Sequence, residues 1–335
     1  MSVQKVSSSK SLSEIDTLKF IAIILITNSH ISHLYPNPNL GTGGSLGNTI
    51  FFTVSAIGLT LSLLAKKVPF GSWFYKRFTR TYYLPWFVII FFALVGYSTI
   101  KFDMIELFKL FVFPTGFWFV SAITLFYIPL YFLINNYTPK NFTLLSIAVL
   151  VLYFVFYLTV LDINVWSIES KSYFKWIFYF QVMVTGVYIG NNYSKIKYQG
   201  YWDFLVLSTL TMFYFGFKFL TTKVPQLMPF QFVLHIVTIP WVIYLLKCTK
   251  SEFVYKLLEN NRWINNLVIT ISGITLEIYL LQTFFYNLSY VKNLIFPLNI
   301  VLFAILTVIA AVILQKVFNY FKKLIDGVYE NLTSN

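Results

Sequence analysis

A histidine inside an oily stretch is the first residue of this sequence that could do chemistry. The run Asp16-Thr-Leu-Lys19-Phe-Ile-Ala-Ile-Ile-Leu-Ile-Thr27-Asn28-Ser29-His30 opens with an acid and a base and closes on polar residues. Lys19 and His30 are eleven positions apart, about three helical turns, which places them on one face roughly 16 Å apart along the axis. A neutral imidazole shielded from bulk water takes a proton from an alcohol, so His30 is a candidate general base. The bland alternative is a histidine hydrogen-bonded to a neighbouring helix. Asn28, Ser29, Ser32 and His33 surround His30, and polar groups at membrane depth line cavities rather than lipid, which favours the chemical reading. His30 and His33 could begin a metal site, but no carboxylate or cysteine cluster completes one, and no metal is expected.

A second set is Lys76, Arg77 and Arg80, with Lys66 and Lys67 upstream. Arg77 and Arg80 lie three apart, on one helical face. Guanidinium forks match phosphate oxygens bidentately, so these residues make a phosphate clamp; the alternative is a basic edge that orients the chain and touches anionic lipid. Trp118, within Phe117-Trp118-Phe119, reads as an interfacial anchor or as a face for a sugar ring. Glu277 lies near the middle of an apolar run with Tyr279 and Gln282. A carboxylate there needs a partner, for which Lys19, His30 and an arginine are all open. His235, near Gln231, reads as structural.

The elements that position these residues follow from composition. The chain has 335 residues, 58% hydrophobic and only 11% charged, with a mean hydropathy of +0.71. That cannot cover a water-facing surface, and the expected fold class is an all-α polytopic membrane protein. Apolar windows of about 20 residues fall near 17–35, 46–65, 81–99, 117–135, 141–161, 173–190, 203–220, 229–247, 264–288 and 294–318. Ten transmembrane helices are thus expected. Residues 1–13 form a polar tail without a cleavage site, 14–318 a single membrane domain and 319–335 a second tail. A lone cysteine, Cys248, excludes an intrachain disulfide. The stretch Gly41–Gly47 lacks the Gly-Lys-Ser/Thr ending of a phosphate loop and reads as a flexible turn.

Loop charge supplies the orientation. With the N-terminus inside, 18 of the 25 Lys and Arg residues fall on the cytoplasmic side. The remaining seven, Lys101, Lys109, Lys171, Lys175, Lys218, Lys223 and Lys292, fall outside. This bias obeys the positive-inside rule for an even span count, so both termini are expected in the cytoplasm of a multi-pass plasma-membrane protein. The net charge of +13 then belongs to topology and lipid contact, and no nucleic-acid partner is expected.

In order along the chain, Asp16, Lys19-x10-His30, Phe51-Phe-Thr-Val-Ser55, Lys76-Arg77-x2-Arg80, Phe117-Trp118-Phe119 and Ile278-Tyr279-Leu-Leu-Gln282 resemble the acyltransferase-3 membrane proteins. Members of that family are ten-span enzymes that commonly O-acetylate cell-surface glycans. The resemblance implies acetyl-CoA as donor and an extracellular glycan or lipid-linked sugar as acceptor. It implies His30 as catalytic base with Lys19 and Asp16 on the donor side, and Lys76, Arg77 and Arg80 as the CoA clamp. Trp118, Glu277, Tyr279 and Gln282 would border the acceptor. The chain departs from the family at Lys19, where arginine is frequent, at Ser55-Ala56 in place of Ser-Gly, and at Gln282 in place of histidine. A covalent acyl-histidine, acyl groups other than acetyl, and a glycan exporter without acyl chemistry stay open from sequence.

Overall fold

The structure is a computed structural model and describes residues 10–169 and 173–333; most of the 1–13 tail and Lys171 lie outside it. Among these residues the protein is helical with no strand, 82% of it in helix. The helices are α1 (Lys10–His30), α2 (Gly44–Ala65), α3 (Phe70–Leu94), α4 (Met104–Leu107), α5 (Trp118–Asn135), α6 (Pro139–Thr159) and α7 (Phe174–Asn191). They continue with α8 (Tyr201–Lys223), α9 (Phe232–Thr249), α10 (Glu252–Asn260), α11 (Arg262–Gly273), α12 (Thr275–Tyr286), α13 (Ser289–Lys292) and α14 (Leu298–Thr333). The segment expected as a C-terminal tail is thus a continuation of α14.

Six segments are long and apolar enough to cross a bilayer, containing α2, α5, α6, α8, α9 and the part of α14 up to Lys323. Helices α11 and α12, bent by 78° where they meet, make a seventh when counted as one broken span. Each of the ten apolar windows falls on a long helix or on this bent pair, but α1, α3 and α7 do not meet the same measure. The reason is their polar content. Glu14, Asp16 and Lys19 load α1, Lys76, Arg77 and Arg80 load the first half of α3, and Lys175, Gln181 and Asn191 interrupt the short α7.

The chain forms two compact units. Unit 1 comprises residues 1–26, 44–70 and 125–269, and unit 2 comprises 27–43, 71–124 and 270–335.

In unit 1, α2 and α7 approach closely because glycine lets them. A Cβ added at Gly186 would stand 2.6 Å from Ala56 Cβ and 2.9 Å from the Thr53 carbonyl, and one at Gly190 would stand 2.7 Å from Thr60 Cβ. Such small-residue spacing at four positions is how oily helices pack without a hydrophobic driving force between them. Gly47 does the same against α1, where a Cβ would meet the Ala22 carbonyl and Ile26 side chain at 2.7 Å. The glycine stretch expected as a flexible turn is therefore a packing device, with Gly44 and Gly47 inside α2. His235 is structural, stacked 3.9 Å from Phe178 and hydrogen-bonded through Nδ1 to the Tyr153 hydroxyl at 3.0 Å.

Two loops of unit 1 are tied down. The buried Gln231 accepts from the backbone of Ser167 and Ile168 and donates to the carbonyls of Val165 and Ile163, which fixes the α6–α7 loop. At the other end, the Tyr193 hydroxyl donates to Glu14 at 2.6 Å, and Lys250 donates to the carbonyls of Tyr193 and Ile196. Burial pushes the Lys250 ammonium below the ordinary lysine range, with Glu14 pulling the other way.

In unit 2, α12 lies along α14. The bend between α11 and α12 leaves the Gly273 carbonyl without its helical partner, and the Gln315 amide of α14 donates to it at 2.8 Å. The segment before α5 is held to α3 by Trp86, whose Nε1 donates to the Phe111 carbonyl at 2.7 Å, and by Tyr82, whose hydroxyl donates to the Val112 carbonyl at 3.1 Å.

Candidate active site

Unit 2 draws on three separated stretches of chain, and these carry eight of the ten residues singled out by sequence: His30, Lys76, Arg77, Arg80, Trp118, Glu277, Tyr279 and Gln282. Asp16 and Lys19 belong to unit 1.

His30 is the last residue of α1, and its side chain is exposed, so an incoming hydroxyl can reach it. The turn that follows is fixed from several directions. Asn28, two residues earlier, donates to the carbonyls of Leu40 at 2.8 Å and Thr42 at 2.9 Å and accepts from the Tyr35 hydroxyl. Gly41 lies so close to Ser32 that a Cβ would stand 2.4 Å from its Cα. Asn299, on α14, donates to the Leu34 carbonyl at 2.7 Å. Ile31 and Leu34 bury against Val291 and Phe303, and His33 sets its ring edge-on to Tyr286 at 5.1 Å. His33 thus has a packing role in this loop.

Along α1, Lys19 lies 3.6 Å from Asp16, both side chains partly exposed. These two residues form a pair at the end of α1 remote from His30.

On α3, Lys76 and Arg80 are exposed and Arg77 is half-buried. The helix is stiffened below them by the ladder Phe74–Phe78–Tyr82, with ring centroids 6.2 and 4.4 Å apart. Of the groups that sequence left open as partners for Glu277, the Arg80 charge acts on it, behind the larger effect of burial and without a direct ion pair between the two. Glu277 itself is only 7% exposed, in the first turn of α12, where the helix dipole favours a carboxylate.

Tyr279, one turn into α12, sits between two rings of the Phe-Trp-Phe motif: Phe117 at 6.3 Å and Phe119 at 5.9 Å, both edge-on. Its hydroxyl lies near the backbone of Phe119. The two motifs read separately in the sequence are thus one aromatic cluster, in which the flanking phenylalanines, not Trp118, hold Tyr279. Trp118 is partly exposed beside Phe119. Gln282 is 1% exposed and its side-chain oxygen has no hydrogen-bond partner among the described residues. It is a buried group of α12, reachable by a substrate only if the surrounding packing opens.

Sequence reasoning passed over Asn28 as mere polar neighbourhood and missed Asn299, Tyr35 and Gln315 altogether. Each acts through partners between seven and 265 positions away. Among the described residues no group of histidines, cysteines and carboxylates is placed to hold a metal ion.

A family model described as an acyltransferase domain, Acyl_transf_3, matches residues 12–316. The chain belongs to this acyltransferase family. The match takes in α1, with Asp16, Lys19 and His30, and runs into α14, so every residue of the candidate site falls within it. The acyltransferase matches no curated protein and no solved structure. Its several long apolar helices and its family together make it a multi-pass membrane acyltransferase.

Proposed function

We propose that this acyltransferase O-acetylates a cell-surface glycan, taking the acetyl group from cytoplasmic acetyl-CoA. The observation that carries the proposal is the gathering into unit 2 of an exposed histidine, a basic set on α3 and the α12 carboxylate that Arg80 acts on. Lys76, Arg77 and Arg80 hold the CoA phosphates, where the guanidinium forks give bidentate bonds. His30 takes the proton of the acceptor hydroxyl as its oxygen attacks the thioester carbonyl; the C–S bond breaks, and the CoA thiolate leaves and is protonated. Proton transfer of this kind contributes about 10² to 10⁴ in rate. Asp16 and Lys19 hold each other on the donor side, Trp118 borders the acceptor, and Tyr279 with the buried Glu277 and Gln282 keeps α12 in place. In this reading the chain crosses the plasma membrane ten times with both termini cytoplasmic, so that donor and acceptor approach from opposite faces.

The test is His30→Ala measured beside Arg77→Ala/Arg80→Ala. The histidine variant loses acetyl transfer, read as O-acetyl content of surface glycan by NMR, while inserting normally and still binding acetyl-CoA. The arginine variant keeps its acceptor KM and raises that for acetyl-CoA. A folded His30→Ala protein with full activity would remove the histidine from the reaction.

A further inference from the structure

Helix α10 (Glu252–Asn260) is divided lengthwise by residue type. At about 3.6 residues per turn, Glu252, Lys256, Glu259 and Asn260 fall on one arc, and Phe253, Val254, Leu257 and Leu258 fall on the opposite one. Tyr255 lies at the boundary, its hydroxyl donating to Glu259 at 3.3 Å. The apolar arc is itself only half covered. Leu258 is buried and Val254 partly so, and that side packs on protein, whereas Phe253 and Leu257 are 74% and 42% exposed. On the polar arc Glu252 and Lys256 form an ion pair at 2.9 Å with both side chains largely exposed, an arrangement suited to water.

The connections fix the level of this helix. Only Lys250 and Ser251 separate it from α9, which is long and apolar enough to cross a bilayer. Only Asn261 separates it from α11, the first half of the bent pair. Both junctions are tied. Lys250 donates to the carbonyls of Tyr193 and Ile196, Ser251 accepts from the Val254 N–H at 3.3 Å, and Asn261 accepts from the Ile264 N–H at 3.1 Å. At about 1.5 Å per residue α10 is roughly 13 Å long, too short to cross a hydrocarbon core of about 30 Å. It therefore sits at the membrane edge where α9 ends. Trp263, 72% exposed in the first turn of α11, is the type of residue that marks this level.

We infer that α10 is an interfacial helix, lying in the plane of the membrane surface with Phe253 and Leu257 inserted where headgroups meet acyl chains and with Glu252, Lys256 and Glu259 in water. The occupant of the exposed apolar face is the lipid bilayer. That face follows within a few residues of a membrane-crossing helix, at a depth that a soluble protein does not reach. Two exposed side chains on a helix of nine residues also fall well short of the roughly 800 Å² per partner of a stable protein interface. The polar arc carries two acids and one base, so charge does not draw the helix to anionic lipid. Burial of apolar side chains holds it, and zwitterionic lipid is enough.

The test uses the full-length protein in phosphatidylcholine vesicles. In a Cys248→Ser background, which removes the single cysteine, Glu252→Cys, Phe253→Cys, Lys256→Cys and Leu257→Cys are made one at a time and given a nitroxide label. Power saturation then reads collisions with oxygen, which concentrates in lipid, and with a water-soluble nickel chelate. Labels at 253 and 257 gain oxygen access and lose nickel access relative to those at 252 and 256, at unchanged Tm, and the pattern stays the same when phosphatidylglycerol is added. Equal nickel access at all four positions puts the face in water and overturns the inference. Spin–spin broadening at 253 and 257, with loss of both collision partners, gives the face to a second copy and overturns it too. So does shielding that appears only with phosphatidylglycerol, which would make headgroup charge the attraction. Should Phe253→Cys lower Tm, Leu257→Cys reads the same face by itself.

Discussion

Asn28 shows how much of the candidate histidine's position can depend on a neighbour two residues away. Its amide closes the turn after α1 by holding the carbonyls of Leu40 and Thr42, and its oxygen receives the Tyr35 hydroxyl. Asn28→Ala removes these three hydrogen bonds, at a cost of about 1 to 3 kcal/mol. The expected outcome is a lowered Tm and a lowered kcat, with the KM for acetyl-CoA unchanged, measured by thermal melting and steady-state assay; a raised donor KM alone would place Asn28 on the CoA side. The sequence announced which residues were chemically able, because a histidine, a basic triad and a carboxylate are conspicuous in an apolar chain. It could not say who meets whom. Glu277 had three possible partners on paper, and only the fold brings the Arg80 charge to bear on it. Gln282 looked like a substrate contact from its place in a motif, yet helix packing buries it.

Elements were more legible than contacts, since a run of about 20 apolar residues has the length of one helical crossing of a bilayer and little else in a protein requires it. Every such run is a long helix here, or in one case the bent pair α11–α12. The bend escaped the sequence because no proline marks it; its free Gly273 carbonyl is answered by Gln315, 42 residues on. The glycines of α2 escaped for the opposite reason. A Gly-rich stretch resembles a loop, but in a membrane helix glycine is also the residue of close approach. The two glycines of α2 on which this can be tested differ in surroundings, Gly47 meeting the Ala22 carbonyl and Ile26 at 2.7 Å and Gly58 meeting nothing within 4 Å. Gly47→Leu therefore forces α1 from α2 and costs about 1 to 3 kcal/mol. Gly58→Leu is tolerated or stabilising, since leucine is the better helix former. Melting curves of the two purified variants decide the point, and equal Tm values would show that α1 and α2 do not depend on the close approach.

At the scale of the whole molecule, the span count governs which groups can reach which side of the membrane. Six helices, or seven segments with the bent pair, are apolar enough on their own, and ten are needed for the proposed orientation. The difference lies in α1, α3 and α7, whose polar residues include Asp16, Lys19, Lys76, Arg77, Arg80 and Lys175. Polar groups within a span are costly and are kept where they face protein or a water-filled path, so a helix that carries a donor clamp is expected to fall short on hydropathy. Cysteine labelling separates the alternatives, because each doubtful helix can be bracketed. In a Cys248→Ser background, single cysteines at Ser13 and Asn39 bracket α1, those at Lys67 and Lys101 bracket α3, and those at Asn164 and Lys195 bracket α7. With all three helices crossing, a membrane-impermeant maleimide labels positions 39, 101 and 164 in intact cells, and positions 13, 67 and 195 only after permeabilisation. Were α7 to lie along the surface, positions 164 and 195 would label from the same side, and every later loop would exchange faces. Lys218 and Lys223 would then turn to the cytoplasm. The same labelling pattern therefore decides whether the proposed donor and acceptor sides lie on the faces that the ten-span reading requires.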